Sequence, residues 1–480
     1  MNLRRALGWV ALLVSGAALA VASLATITMV VLSAGGVLTT PPGAWVVHVS
    51  PVPGVSVKIS VPGLARFATS PAALRLLDGR ALATRFGEVH FERDGDALQV
   101  ACAPCRFDAP RLATQPLSID RLQVRLSQID TQTLAGELTG TAVKLRFTAK
   151  LQPDRIDIDW QLPPTEIAAV YRLLESAIPE AHLARIEGRI DARGSLRLPQ
   201  RRARAEVAID GFAADGLGTE GLASGSVAFS CPDAEGLPGL RRVTPGEGRW
   251  ISPSQSGALL AAAVLAAEDQ RFHEHEGFDR AEIAQVLASV EEQGITRGAS
   301  TITQQLARTL FTGGERTGAR KLRELLYAVE MERTLGKRAI LALYLNTVHW
   351  GPGICGADAA ARTYFGKRPQ QLTPLEAAWL AAILPNPAKA YADEYLAGSA
   401  DTDRAGRVLQ QMRNLPRRER ERWAQQALVF ATPSVTRAGS RSLADQVQHY
   451  LAPLAAEPVL VQVDALPVAK GEPAIDQRHR

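Results

Sequence analysis

The chain has 480 residues, too many for one ordinary core, so two or three domains are expected. Apolar residues make up 46% and charged residues 21%, which excludes a chain that is disordered throughout. The net charge of +5 suits an anionic lipid surface or a phosphorylated substrate, and no nucleic-acid partner is expected from it.

After Arg4 and Arg5, no Lys, Arg, Asp or Glu occurs until Lys58. Residues 6–38 form one uncharged, mostly apolar stretch, longer than the roughly 20 residues that cross a bilayer. Two arginines ahead of it favour a cytoplasmic N-terminus. The expectation is a retained single-pass anchor over 1–40. A cleaved signal peptide is the alternative, with A-x-A-like triplets near Ala18–Ala22, but the apolar run continues too far for a usual signal core. Either way the rest of the chain lies outside the cytoplasm.

Residues 41–54, rich in Pro and Gly, read as a linker. From 55 to 231 the dominant period is two. Val55, Val57, Ile59 and Val61 alternate with other residues, as do Val143, Leu145 and Phe147, and Ile156, Ile158 and Trp160. This is a β-rich module with one buried face and one helical interruption near 165–176. It carries no catalytic constellation. Cys102 and Cys105, between two strand-like runs in an oxidising compartment, read as a local disulfide. A redox motif would need a βαβ setting. A zinc site would need two more ligands nearby.

A second linker, 232–249, leads to a change of period. Ser252-Pro253 has the form of an N-cap followed by Pro in the first turn, and the chain then reads as mostly helical to about residue 399. The stretch 401–480 reads as a basic helical extension followed by a mobile Pro- and Ala-rich tail. Arg417, Arg418, Arg420 and Arg422 read first as a solvated helix face, with lipid headgroup contact as the alternative.

Four stretches in the helical half carry candidate chemistry. The first, EDQRFHEHEGFD at 268–279, ends the apolar run ALLAAAVLAA with two adjacent carboxylates. Buried charge is costly unless paired or used, so the helix either surfaces there or delivers the carboxylates to a cleft. The second, GASTITQQLART at 298–309, has Thr301 and Gln304 at capping-box spacing, with Gln304 and Arg308 four apart on one face. Alone it is only a capped polar helix. The third, RKLRE at 320–324, puts Arg320, Lys321 and Glu324 on one face, where an ordinary surface ion pair is the bland reading. Between these two, TGGERTG at 312–318 reads as a loop or as a flap over a site. The fourth runs from ILALYLN at 340–346 through WGPGICGADAAARTYFGK to ILPNP.

Together, and in this order, the four stretches resemble the signature motifs of glycosyltransferase family 51, the peptidoglycan transglycosylases. They match E-D-x-x-F-x-x-H-x-G-x-D, G-x-S-T-x-x-Q-Q, R-K-x-x-E and I-L-x-x-Y-L-N. The resemblance covers about 250–391, less than a third of the chain, and its ending looks most like the monofunctional branch. Two departures stand out. Arg308-Thr309 replaces the family's Lys-Asn, which keeps a charge but exchanges a point ammonium for a planar fork. No Ser-x-x-Lys or Lys-Thr-Gly occurs, so no transpeptidase activity is expected.

The resemblance implies polymerisation of lipid II into β-1,4 glycan with inversion and release of polyprenyl diphosphate. Glu268 matches the base that takes the acceptor proton, and Glu324 the second glutamate on the donor side. Arg308, Arg320 and Lys321 match candidates for holding the diphosphate. Asp269, Phe272 and His275 match positions that shape the site, although a lone His275 reads first as a polar helix-end residue. Ser300, Thr301, Gln304, Gln305 and Asn346 complete the expected substrate-binding set. No cofactor is required, and Mg2+ or Mn2+ could share the diphosphate. Implied partners are lipid II, the growing glycan, the membrane and cell-wall synthesis proteins acting through the β-rich module.

The expected architecture is α+β and multidomain: a transmembrane helix, a β-rich extracytoplasmic module, and at 250–400 a mainly helical, lysozyme-like transglycosylase domain. The expected location is the bacterial inner membrane, with the catalytic domain periplasmic. Two rivals stay open, a catalytically weak scaffold and a lysozyme-like glycan hydrolase.

Overall fold

The computed structural model describes residues 37–38, 41–52, 55–200, 202–232, 237–254, 257–279, 300–315 and 317–432. The expected anchor at 6–38 falls almost entirely outside these residues, as do Gly298, Arg316 and the tail from 433. Among the described residues no helix is long and apolar enough to cross a membrane.

The first half is built on strands. Alternation of Val and polar residues makes a hairpin of β1 (Val46–Val52) and β2 (Val55–Ser60), so part of the expected linker is paired strand, with Val47 opposite Ile59. Two short helices follow, α1 (Val61–Ala68) and α2 (Pro71–Leu77). Each is capped by a serine that accepts a backbone amide, with Pro in the first turn.

A nine-stranded antiparallel sheet comes next. Its strands are β3 (Arg80–Thr84), β4 (Gly87–Asp94), β5 (Ala97–Cys102), β8 (Leu122–Gln128), β9 (Thr133–Gly140), β10 (Val143–Gln152), β11 (Arg155–Glu166), β12 (Arg185–Leu198) and β13 (Arg202–Asp215). They pair in chain order, apart from a separate small hairpin of β6 (Cys105–Phe107) and β7 (Leu117–Ile119). The Cys102–Cys105 disulfide joins β5 to β6, as the spacing predicts.

Period two sorts the sheet into faces. On the apolar face Phe147 lies opposite Gly136, and Trp160 opposite Gly194. A Cβ at Gly136 would sit 2.1 Å from the Phe147 ring, so the two glycines are where bulky rings cross the neighbouring strand. This face is covered at its ends by α1 and by α3 (Ile167–Leu173), which falls within the predicted helical interruption. A one-turn helix α4 (Glu180–Leu183) precedes β12.

The second half is helical but starts later than predicted. Strands β14 (Val227–Pro232) and β15 (Pro238–Val243) pair across the expected second linker, with Pro232 opposite Pro238. A two-stranded edge tolerates proline at its ends. Ser252-Pro253 does not open a helix. Ser252 O accepts from Gly257 N at 2.8 Å, and α5 (Ala258–Glu268) begins after this turn without a side-chain cap. Just before this turn, Asn346 Oδ1 accepts the Ile251 amide at 2.8 Å.

From there come α6 (Ile302–Ala307), a π-helical turn Arg308–Thr312, α7 (Gly318–Thr334), α8 (Gly336–Thr347), β16 (His349–Gly351), β17 (Ile354–Cys355), α9 (Ala357–Phe365), α10 (Pro374–Ile383), α11 (Pro387–Ala390), α12 (Thr402–Gln411) and α13 (Arg417–Ala424). Helices α5 and α10 are apolar on nearly all sides because both are interior helices, and Leu260, Ala263, Val264 and Trp379 are fully buried. Ala405, Val408 and Leu409 of α12 join this same core, which therefore continues past residue 400. Helix α13 has no buried residue, in keeping with a solvated arginine face. A disulfide missed by sequence reasoning, Cys231–Cys355, ties β14 to β17. A distinct apolar cluster joins β13 and α3 to α7, so the two halves share a core.

Candidate active site

The apolar run ends where the chemistry begins. Helix α5 is held on nearly every side until its last residue, Glu268. One Glu268 oxygen accepts from Gln305 Nε2 at 2.8 Å, and Gln305 Oε1 accepts from Tyr344 Oη at 2.9 Å. The tyrosine thus orients the amide, and the amide orients the carboxylate. Burial pushes the Glu268 pKa up; the Gln305 hydrogen bond and the charges of Arg404 and Arg308 pull it down, and Asp269 adds to the rise.

Asp269 points elsewhere and is already satisfied. Its oxygens take the Ile302 amide at 3.0 Å and His275 Nε2 at 2.9 and 3.0 Å. His275 Nδ1 accepts the Gly277 amide at 3.1 Å, so Nε2 carries the proton donated to Asp269. Gly277 has φ 94°, and a Cβ there would meet Ala328 O of α7 at 2.9 Å. Thr301 donates to Gly277 O at 2.7 Å and also forms the predicted capping box with Gln304. The first and second motifs are therefore one knot, in which Asp269, His275, Gly277, Thr301 and Gln304 fix the start of α6 beside Glu268.

Helix α7 supplies the other charges. Glu324 is 0% exposed, and the side chains of Arg320 and Lys321 are only 9% and 6% exposed, so the bland surface-pair reading fails. Arg320 Nη1 contacts one Glu324 oxygen, and Lys321 Nζ lies 3.3 Å from the other. Lys321 also reaches Ser300 Oγ at the entry to α6. Two cations around one carboxylate leave the cluster formally positive. Both glutamates are thus linked to the short segment 300–305, Glu268 through Gln305 and Glu324 through Lys321 and Ser300.

Other expected residues fall in different places. Phe272 is buried beneath Lys337, whose Nζ is 4.5 Å from the ring centre, so it shapes the knot. Asn346, expected in the substrate-binding set, is buried and bonds Ile251 N, Ile251 O and Ala342 O. Arg308 opens the π-helical turn, a rare element that is frequent at functional sites, and its charge acts on Glu268. Sequence reasoning missed Tyr344, which lies inside the ILALYLN stretch, and Arg404, which lies beyond every motif quoted.

Among the described residues no group of three His, Cys, Asp or Glu side chains could hold a metal ion. Asp269 and Glu324 are already matched by donors or cations of the chain. A groove of about 1180 Å³ lies on the sheet instead, lined by residues of β8–β13. Phe147 and Trp160 are among its lining residues, and two of its ion pairs are Arg193 with Glu206 and Arg146 with Glu137.

Comparison with known proteins bears on the same segment of the chain. Residues 240–413 match the family described as Transglycosylase. Over 138 residues the chain is 49% identical to the biosynthetic peptidoglycan transglycosylase of Aeromonas hydrophila subsp. hydrophila, covering 29% of this chain and 59% of that protein. It is 48% identical over 139 residues to the protein of the same name from Escherichia coli O81, covering 29% and 57%. For that of Nitrosomonas eutropha the identity is 44% over 140 residues, covering 29% and 57%. The chain thus spans somewhat under two thirds of the length of these relatives. The resemblance read from four motifs to the peptidoglycan transglycosylases is borne out over residues 240–413, the segment that holds all four.

Proposed function

We propose that the chain is a peptidoglycan glycosyltransferase that extends glycan strands from lipid II. The observation that carries this reading is the pairing of two unlike glutamates around segment 300–305. One is a half-buried carboxylate with a raised pKa, and the other is wrapped by two buried cations.

Glu268 removes the proton from the acceptor sugar 4-hydroxyl as its oxygen attacks the donor anomeric carbon. The new C–O bond forms on the face opposite the leaving group, which inverts an α-linked donor to a β product. The bond from that carbon to the diphosphate breaks, and its electron pair leaves with the diphosphate. Arg320, Lys321 and Arg308 hold the developing charge in a site largely shielded from water. A raised pKa suits a base working near neutral pH. Positive charge that a divalent ion could contribute is already present in Arg320 and Lys321.

The buried cations favour this reading over a glycan hydrolase, since a neutral sugar leaving group needs no such pair. A membrane location outside the cytoplasm is part of the proposal, supported by Arg4, Arg5 and the uncharged stretch 6–38. Partner cell-wall proteins acting through the β-rich module remain an extension of the same proposal.

The test is incubation of the full-length protein with lipid II, with glycan followed by gel, alongside purified sacculi. Glycan from lipid II and intact sacculi are the expected result. Sacculus degradation without polymer would make it a hydrolase. Neither product would favour the scaffold.

A further inference from the structure

Helix α7 has two opposed working stripes. Arg320, Lys321 and Glu324 form one, facing the candidate site. Ala319, Arg323, Leu326, Glu330 and Arg333, spaced by three and four, form the other, and this one lies on the β-rich module.

The contact runs the length of the helix. The N–H groups of Gly318 and Ala319 donate to the carbonyls of Arg111 and Leu112 at 2.8 and 2.7 Å, so the module satisfies two of the amides that a helix start leaves open. Leu326 and Val329 pack with Ile167, Tyr171 and Phe212. Tyr171 Oη donates to Leu322 O at 3.0 Å. Near the far end, both Glu330 oxygens accept the Leu217 amide at 3.0 and 3.1 Å, and Arg333 pairs with Asp215 at 2.8 Å.

Midway sits a partly buried fork. Glu180, 4% exposed in its side chain, accepts Arg323 Nε at 2.8 Å on both oxygens and Nη2 at 2.7 Å, with Tyr327 Oη at 3.4 Å. Apolar packing alone lets a helix turn about its axis, whereas a planar bidentate pair fixes an angle. Arg323 immediately precedes Glu324, so any turn that releases Glu180 carries Glu324 with it.

We propose that the β-rich module is a working part of the transferase site through α7, with Glu180 as the positioning residue that sets the angle at which Arg320, Lys321 and Glu324 meet substrate. The proposal rests on the glycosyltransferase reading of 240–413 for its activity readout, but not for its structural one.

The test uses full-length Glu180→Gln, and Arg323→Lys, which keeps the charge and loses the fork. In Glu180→Gln, kcat on lipid II should fall between about 10-fold and 100-fold. The acid limb of its pH profile, set by Glu268 on another helix, should keep its midpoint. Arg323→Lys should fall in between. Hydrogen exchange should rise in α7 alone, a readout independent of turnover. If wild type makes no glycan but α7 exchange rises as described, the positioning stands and the functional reading falls. Exchange unchanged in α7, activity within twofold of wild type, or exchange raised evenly throughout a destabilised chain would each overturn the proposal. Arg323→Lys carries the test alone if Glu180→Gln does not fold.

Discussion

The two glutamates of the site live in opposite surroundings. Glu268 touches one neutral amide, with cations acting on it only through their fields, and burial dominates its pKa. Glu324 is more deeply buried and has Arg320 and Lys321 against its two oxygens. The difference teaches a division of labour. A carboxylate held by one neutral amide is placed to take a proton, while one set between two cations holds those cations in place.

Ways to break this contrast can be ordered by expected effect. Glu268→Gln should lower kcat by about 10³-fold. The same change should stabilise the fold at neutral pH. A raised carboxyl pKa means that Glu268's relative contribution to stability is present below its unfolded pKa and lost as pH rises through the folded one. Thermal melts of wild type and variant should therefore diverge from acid to neutral pH, with the variant higher.

Arg320→Ala should cost about 10²-fold in kcat/KM, because it removes a diphosphate candidate and leaves Glu324 half-matched in a dry site. Loss of folded protein instead of activity, read by circular dichroism, would make the triad structural. Gln305→Leu sharpens the contrast with a smaller effect of about tenfold. Removing a hydrogen bond that lowers the Glu268 pKa should move the acid limb of the rate profile to higher pH. Removal of Cys231–Cys355, which closes a separation of 124 residues, should lower stability by about 2–5 kcal/mol and change kcat least. Melting curves of wild type and of Cys231→Ser/Cys355→Ser, which leaves Cys102–Cys105 intact, check it.

Legibility in the sequence followed the range of the interactions. Local signals carried well. Period two marked the sheet, Thr301-x-x-Gln304 marked the start of α6, and the short spacing of Cys102 and Cys105 marked their bridge. Charge meaning was harder, since RKLRE reads the same on a surface as in a core, and only burial separates the two. Contacts distant in sequence left no signal. Asn346 bonds Ile251 across a separation of 95 residues in sequence, and the charge of Arg404 acts on Glu268 from a helix beyond every motif. Pro-rich segments misled as linkers because proline at strand ends is compatible with pairing.

Pre-steady-state chain extension from lipid II, followed across pH for wild type and Glu268→Gln, bears most directly on the base. Wild type should lose rate as acid protonates Glu268, and the variant should be slow with that limb gone. A variant that extends glycan at the wild-type rate, acid limb intact, would contradict the assignment.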